Sequence, residues 1–376
     1  MDIAAFIRSL KDTVSSTDTA TSQRIIRFNH RQDYELFLVH SSSELLLADR
    51  LDAMPIIDGI RCSLPADLDF LQPYAEHLSI EDDNQLLVEG SSQKSLKIDK
   101  GIPWGVQQIK APQAWSTTTG HRVKVGVIDT GVDYSHPDIA QSLSYGINLL
   151  NRALPPIDDN GHGTHIAGTI AAANYPQGMI GVAPRALIAP IKAFDHNGSA
   201  YVSDIILGIE WCIRNRIQVI NMSFGMKTRS KALLTAVTNA TSSGSIIIAS
   251  SGNDGRRRTI DYPARYLQTI SVGATSTQRR IAPFSNRGIY IDVYAPGDKV
   301  VSAWLNGKYN EMSGTSMATS HVSGAVALLL AYKPGLTPQE IRSLIKRSVQ
   351  PLGNSKARRL IGELDIMRML QAADKL

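Results

Sequence analysis

VKVGVID, residues 123–129, is a short run that is apolar apart from Lys124 and ends on a carboxylate. Five runs of the same kind follow: ALIAPIKAF (186–194), IQVINMSF (217–224), GSIIIASSG (244–252), TISVGAT (269–275) and IDVYAPG (291–297). Helix-compatible stretches separate them. Near-continuous apolar strands alternating with helices predict an α/β fold, a parallel sheet with helices on both faces. Ligands gather at the carboxyl ends of such strands. Polar residues stand there: Asp129 ends one strand, Ser223 another, and Asn253 follows a third.

Upstream, the pattern is different. Residues 1–22 read as a polar arm with one amphipathic turn (Ile3, Phe6, Ile7, Leu10). Residues 23–83 read as a small α+β unit with strands at 23–29, 55–64 and 77–82 and helices at 31–43 and 65–77. Residues 84–100 are polar, lack periodicity and read as a linker. Residues 101–376 then form the large domain.

Charge is unevenly divided. Residues 1–98 carry nine Lys/Arg and sixteen Asp/Glu, a net −7, and the rest of the chain carries 30 and 18, a net +12. An acidic unit and a basic unit attract each other. Only Arg256, Arg257 and Arg258 form a tight basic cluster, without interleaved aromatics, so no nucleic-acid partner is expected. The longest apolar run, residues 324–331, is far short of the roughly 20 residues of a membrane span. Two distant cysteines, Cys62 and Cys212, make no disulfide framework. With no secretory signal in MDIAAFIRSLKD, they point to a cytoplasmic protein, and secretion by a non-classical route is the alternative.

Three stretches carry chemistry: VIDTGVDYSHPDI (127–139), DNGHGTHIAG (159–168) and MSGTSMATSHVSGAVALLL (312–330). Hydrolysis by a serine needs a hydroxyl, a base for its proton, a carboxylate to orient that base and donors for the oxyanion. Asp129, His162, Ser316 and Asn253 supply one of each. Other readings fit less well. DTG in an aspartic protease needs a second such loop, and none is present. HGTH lacks the HExxH zinc pattern and a third ligand. GHGTHI lacks the last glycine of a dinucleotide fingerprint.

DTG, HGTH, NMSFG, SSGNDG and GTSMA stand in order over residues 103–376, and this part of the chain resembles a subtilisin-like serine protease along nearly its whole length. The resemblance implies that Asp129 orients His162, His162 is general base and acid, and Ser316 is the nucleophile. Asn253 and the Ser316 N–H would bind the oxyanion, and His165 would be structural. It also implies polypeptide substrates added as a strand between Gly198, Ser199 and Ala200 on one side and Ser223, Phe224 and Gly225 on the other. Asp261, where the family commonly has glycine on the pocket floor, would favour Lys or Arg before the cut; an outward turn of Asp261, or its pairing with Arg256, Arg257 or Arg258, is the alternative. Residues 23–82 resemble the family's propeptide, an intramolecular inhibitor and folding aid of ferredoxin-like form, with Lys94 or Lys97 as the expected processing point. No cofactor is expected for the chemistry. The family's strong calcium site matches at Asp138, but Lys100 and Tyr175 stand where two of its ligands would be. A catalytically silent relative acting as a regulator or binding partner is the alternative to an endopeptidase.

Overall fold

The computed structural model describes residues 1–15, 21–41, 51–88, 91–96, 101–352 and 362–376. The N-terminal unit comprises α1 (Ile3–Ser15), β1 (Thr21–Phe28), α2 (Arg31–Ser41), β2 (Leu51–Met54), β3 (Gly59–Pro65) and β4 (Leu78–Asp82). Its antiparallel sheet has the order β2-β3-β1-β4. The expected helix over 65–77 is only a 3-10 stretch, Asp69–Tyr74, with Pro73 inside it. The expected polar arm is instead a full helix. Ile3, Phe6, Ile7 and Leu10 recur at helical spacing and are all buried. Phe6 packs against Phe28, Phe37 and Tyr74, with ring centroids 5.9, 5.8 and 5.2 Å away. The small sheet needs a cover for its apolar face, and α1 provides it together with α2 and the proline-containing segment, whose Leu71 is buried in the same core.

Residues 84–100 also depart from expectation. They contain β5 (Gln85–Val88) and β6 (Ser91–Leu96), which pair with strands of the large domain. Their pairing is main-chain strand addition, which needs an open edge rather than an apolar pattern; composition therefore gave no sign of it.

The large domain is built from β7 (Lys124–Asp129), β8 (Ile147–Asn148), α3 (His162–Ala171), β9 (Leu187–Lys192), β10 (Ser199–Tyr201), α4 (Val202–Arg214), β11 (Val219–Met222), β12 (Phe224–Gly225) and α5 (Lys231–Ser242). There follow β13 (Ile246–Ser250), β14 (Ile270–Thr275), β15 (Val293–Pro296), β16 (Val300–Trp304), β17 (Lys308–Ser313), α6 (Thr315–Tyr332), α7 (Pro338–Arg347), β18 (Gln350–Pro351), β19 (Gly362–Glu363) and α8 (Ile366–Ala373). A nine-stranded sheet has the order β18-β19-β15-β14-β13-β11-β7-β9-β8 and is parallel except for β18. Period-two alternation sends side chains to opposite faces. Val125, Val127, Ile246 and Ile248 pack beneath α3 and α6, while Ile128, Ile247 and Ala249 pack beneath α4 and α5. α6 is buried from Thr315 to Leu330, which its apolar and small residues permit on every side.

The N-terminal unit docks on the starts of α4 and α5. Glu81 accepts from Ser230 Oγ and the N–H groups of Lys231 and Ala232 at 2.8–3.0 Å. Asp83 accepts from the Ser203 N–H at 2.9 Å and hydroxyl at 2.6 Å. Carboxylates satisfy orphan N–H groups and meet the positive end of each helix dipole. Arg61 adds a bridge between Asp52 and Asp204, 2.6 Å to each.

Candidate active site

Asp129 closes β7 and is buried, as is His162, the first residue of α3. His162 Nδ1 lies 2.7 and 2.9 Å from the two Asp129 oxygens. A carboxylate only accepts, so Nδ1 carries the proton and Nε2 the lone pair. The Thr130 N–H also donates to Asp129 Oδ1 at 2.8 Å. Gly161, before His162, has φ 109°, and a Cβ there would lie 2.3 Å from the Trp304 ring. That glycine is what lets the chain turn into α3 with the imidazole on the aspartate. His165, one turn on, is buried and donates from Nε2 to the Val300 carbonyl at 3.0 Å. Burial, with a smaller push from His162, lowers its pKa to about 3, so it is a neutral packing residue.

Ser316 is the second residue of α6, where N–H groups have no intrahelical acceptor. Its hydroxyl donates to the Ser223 carbonyl at 2.8 Å. Ser223 Oγ donates back to the Ser316 carbonyl at 3.2 Å and accepts from Asn221 Nδ2 at 2.8 Å. Asn253 Oδ1 accepts from the Thr315 N–H at 2.9 Å and its hydroxyl at 3.0 Å. A backbone N–H must face the carbonyl oxygen of an amide, so the Asn253 amide nitrogen points the other way and is set to donate. Asp129 thus ends β7, Ser223 and Asn253 follow the neighbouring strands β11 and β13, and α6 brings Ser316 to the same sheet end.

Comparison with known proteins gives the family. The model of the subtilase family matches residues 120–363. The chain belongs to the subtilase family. It is 45% identical to Subtilisin E of Bacillus subtilis (strain 168) over 261 residues, 68% of each chain. It is 36% identical to M-protease of Shouchella clausii (strain KSM-K16), covering 89% of this chain and 85% of that one. Alkaline protease of Alkalihalobacillus alcalophilus is 35% identical over 91% of this chain and 90% of its own. This subtilase is a serine endopeptidase, and polypeptides are its substrates.

β5 of the subtilase lies between β10 and β12, antiparallel to both, with Leu87 opposite Ser199 and Gly225, Leu86 opposite Ala200, and Val88 opposite Phe224. The Val88 N–H donates to the Gly198 carbonyl at 3.0 Å. Of the strand-binding residues named from the sequence, Gly198, Ser199, Ala200, Phe224 and Gly225 therefore hold the chain's own segment Gln85–Val88. Lys94 is elsewhere, on β6 opposite Glu311 of β17, while Lys97 and Lys100 lie outside the described residues.

Three groups escaped notice in the sequence. Asp158 accepts from Thr130 Oγ1, the N–H groups of Asn160 and Gly161, and both donors of Thr164, at 2.6–2.9 Å. It ties the Asp129 loop to the start of α3, but an aspartate in an Asp-Asp-Asn-Gly stretch looks like an ordinary turn residue. Buried Lys192 donates to the Thr130 carbonyl at 2.7 Å and to Asp159 at 2.6 Å. Lys227 pairs with Asp261, at 2.7 Å, and with Asp254. The anticipated alternative partners of Asp261, Arg256 to Arg258, were the wrong cations, since a β-bridge between Met226 and Tyr262 brings Lys227 to it.

Asp138 is buried and both its oxygens are engaged. Asn174 Nδ2 donates at 2.7 Å, the Met179 N–H at 3.0 Å and the Tyr309 hydroxyl at 2.7 Å. Tyr175 is exposed. Among the described residues no group of three or more His, Cys, Asp or Glu gathers to hold a metal ion, and no helix is long and apolar enough to cross a membrane.

Proposed function

We propose that Ser316, His162 and Asp129 form the catalytic triad of a self-processing precursor. The observation that carries this reading is the buried hydrogen bond from His162 Nδ1 to Asp129, because it presents the basic Nε2 in one tautomer. Ser316 Oγ, released from the Ser223 carbonyl, passes its proton to His162 Nε2 as it attacks the peptide carbonyl carbon. The Asn253 amide and the Ser316 N–H stabilise the oxyanion. His162 then protonates the leaving amine, and the acyl-enzyme remains. Water repeats the sequence in reverse roles and frees the acid and Ser316.

The N-terminal unit acts as inhibitor by keeping β5 in the cleft. We place the processing cut between Val88 and Ser91 rather than at Lys94 or Lys97, since the strand that adjoins Ser223 is Gln85–Val88. The net charge of the Lys227, Asp254 and Asp261 cluster, −1, supports a tilt toward Lys or Arg before the cut. We infer that hydrogen bonds rather than calcium hold Asp138, whose oxygens already have three donors. The cytoplasmic reading rests on two buried free cysteines and is tested by cell fractionation.

The deciding experiment purifies the wild type and Ser316→Ala and sequences the new N-termini. The expected result is a cut between residues 88 and 91 in the wild type and an intact Ser316→Ala chain. Equal processing of both would overturn the triad, and chains starting at Ser95 or Ile98 would restore the lysine sites. A serine-directed phosphonate that fails to label Ser316 in processed enzyme would favour the silent-relative reading.

A further inference from the structure

Two carboxylates beside β12, Asp254 and Asp261, have their own counter-ion in Lys227. From β12 the chain continues to Met226, whose N–H and carbonyl exchange 2.9 Å hydrogen bonds with Tyr262. Lys227 and Asp261 are thereby brought face to face. Lys227 Nζ donates to the Asp261 oxygens at 2.7 and 2.9 Å and also reaches Asp254. Asp254 directly follows Asn253, and it accepts from Asn286 Nδ2 at 3.2 Å. Asp261 rests against the backbone of Gly252, where a Cβ would be 2.6 Å from its Oδ2. The cluster therefore sits one residue from the oxyanion amide and two from the strand that pairs with β5.

Exposure divides the three unequally. The Asp261 side chain is 5% exposed and that of Lys227 is 60% exposed. The buried carboxylate has lost its water, and its compensation is an ammonium on a flexible stem open to solvent. An ammonium or guanidinium arriving on a substrate would meet the same two carboxylates and compete with Lys227 for them. A substrate carboxylate would meet Lys227 first.

We propose that Lys227 is a specificity-determining residue, a resident cation that a substrate Lys or Arg must displace to reach Asp261. The proposal rests on the reading of the cleft above and adds that the preference for Lys or Arg is held small by Lys227 itself. Removing its charge would leave two carboxylates for one incoming cation. Keeping the charge on a different side chain would keep the competition.

The test measures kcat/KM for three peptides that differ only in Arg, Leu or Glu before the cut, with wild type, Lys227→Gln, Lys227→Arg and Asp261→Asn. Lys227→Gln is expected to raise the Arg-to-Leu ratio about tenfold, the factor that follows from about 1.4 kcal/mol of unmasked charge. It should also depress the Glu peptide. Lys227→Arg should keep the wild-type ratio, and Asp261→Asn should lower the Arg-to-Leu ratio and favour Glu. The proposal is overturned if Lys227→Gln changes the ratio less than about twofold, or if Lys227→Arg shifts it as far as Lys227→Gln. Cleavage of the Leu peptide is the internal control that separates a failed pocket from a failed active site.

Discussion

At the scale of single residues, the site depends on groups with one conformation available to them. Asn253 is held by two donors of Thr315, so its amide is aimed before substrate arrives. Asn253→Ala should lower kcat about 10²- to 10³-fold with little change in KM, the loss typical of one oxyanion donor; steady-state kinetics checks it. Two buried histidines set a different dependence. Burial lowers the pKa of His165 to about 3 and that of His321 to about 4, from an ordinary 6.5. The unfolded chain therefore binds two protons that the native state refuses between pH 6.5 and about 4. Stability is complete above pH 6.5 and falls on acidification, by about 1.4 kcal/mol per pH unit for each histidine. Denaturant unfolding of Ser316→Ala at pH 7, 6 and 5 tests this, and His321→Gln should roughly halve the slope. An equal midpoint at all three values would contradict it.

At the scale of elements, α4 and α5 present their N-termini to the N-terminal unit. Glu81 and Asp83 fill the helix ends that a free catalytic domain would leave to water. Removing both charges, by Glu81→Gln with Asp83→Asn, should weaken docking by about 1–3 kcal/mol in total, given the strength of charge-assisted bonds at helix ends. The lag before full activity after processing should shorten accordingly, and an unchanged lag would argue against the docking role. The loop at 173–181 is fastened to Asp138 by Asn174, Met179 and Tyr309, the last reaching over from β17. A cation bound at a hundredfold its Kd would add about 2.7 kcal/mol. The melting temperature of Ser316→Ala should therefore be the same in calcium and in chelator, and a large rise in calcium would restore a cation at this site.

Across the whole molecule, the −7 and +12 portions attract at long range, while Glu81 and Asp83 act at contact. Salt screens the first far more than the second, since the Debye length falls from about 10 Å at 0.1 M to about 3 Å at 1 M. Raising NaCl over that range should shorten the activation lag but not abolish it. The parallel sheet, the strand-end positions of Asp129, Ser223 and Asn253 and the family were legible in residues 123–330 because each rests on local pattern: apolar strands, glycine turns and short motifs at strand ends. The helix at Ile3–Ser15 was half legible, its four apolar residues visible but their cover invisible. The pairing of Gln85–Val88 was not legible, because strand addition is made by main-chain groups that every residue shares. Nor was the Lys227–Asp261 pair, which joins residues 34 positions apart. The sequence alone determined which chemical groups this subtilase has and at which strand ends they stand. Only the tertiary structure decided which charges neutralise one another and which segment pairs between β10 and β12, because both depend on edges and partners that meet through the fold and not along the chain.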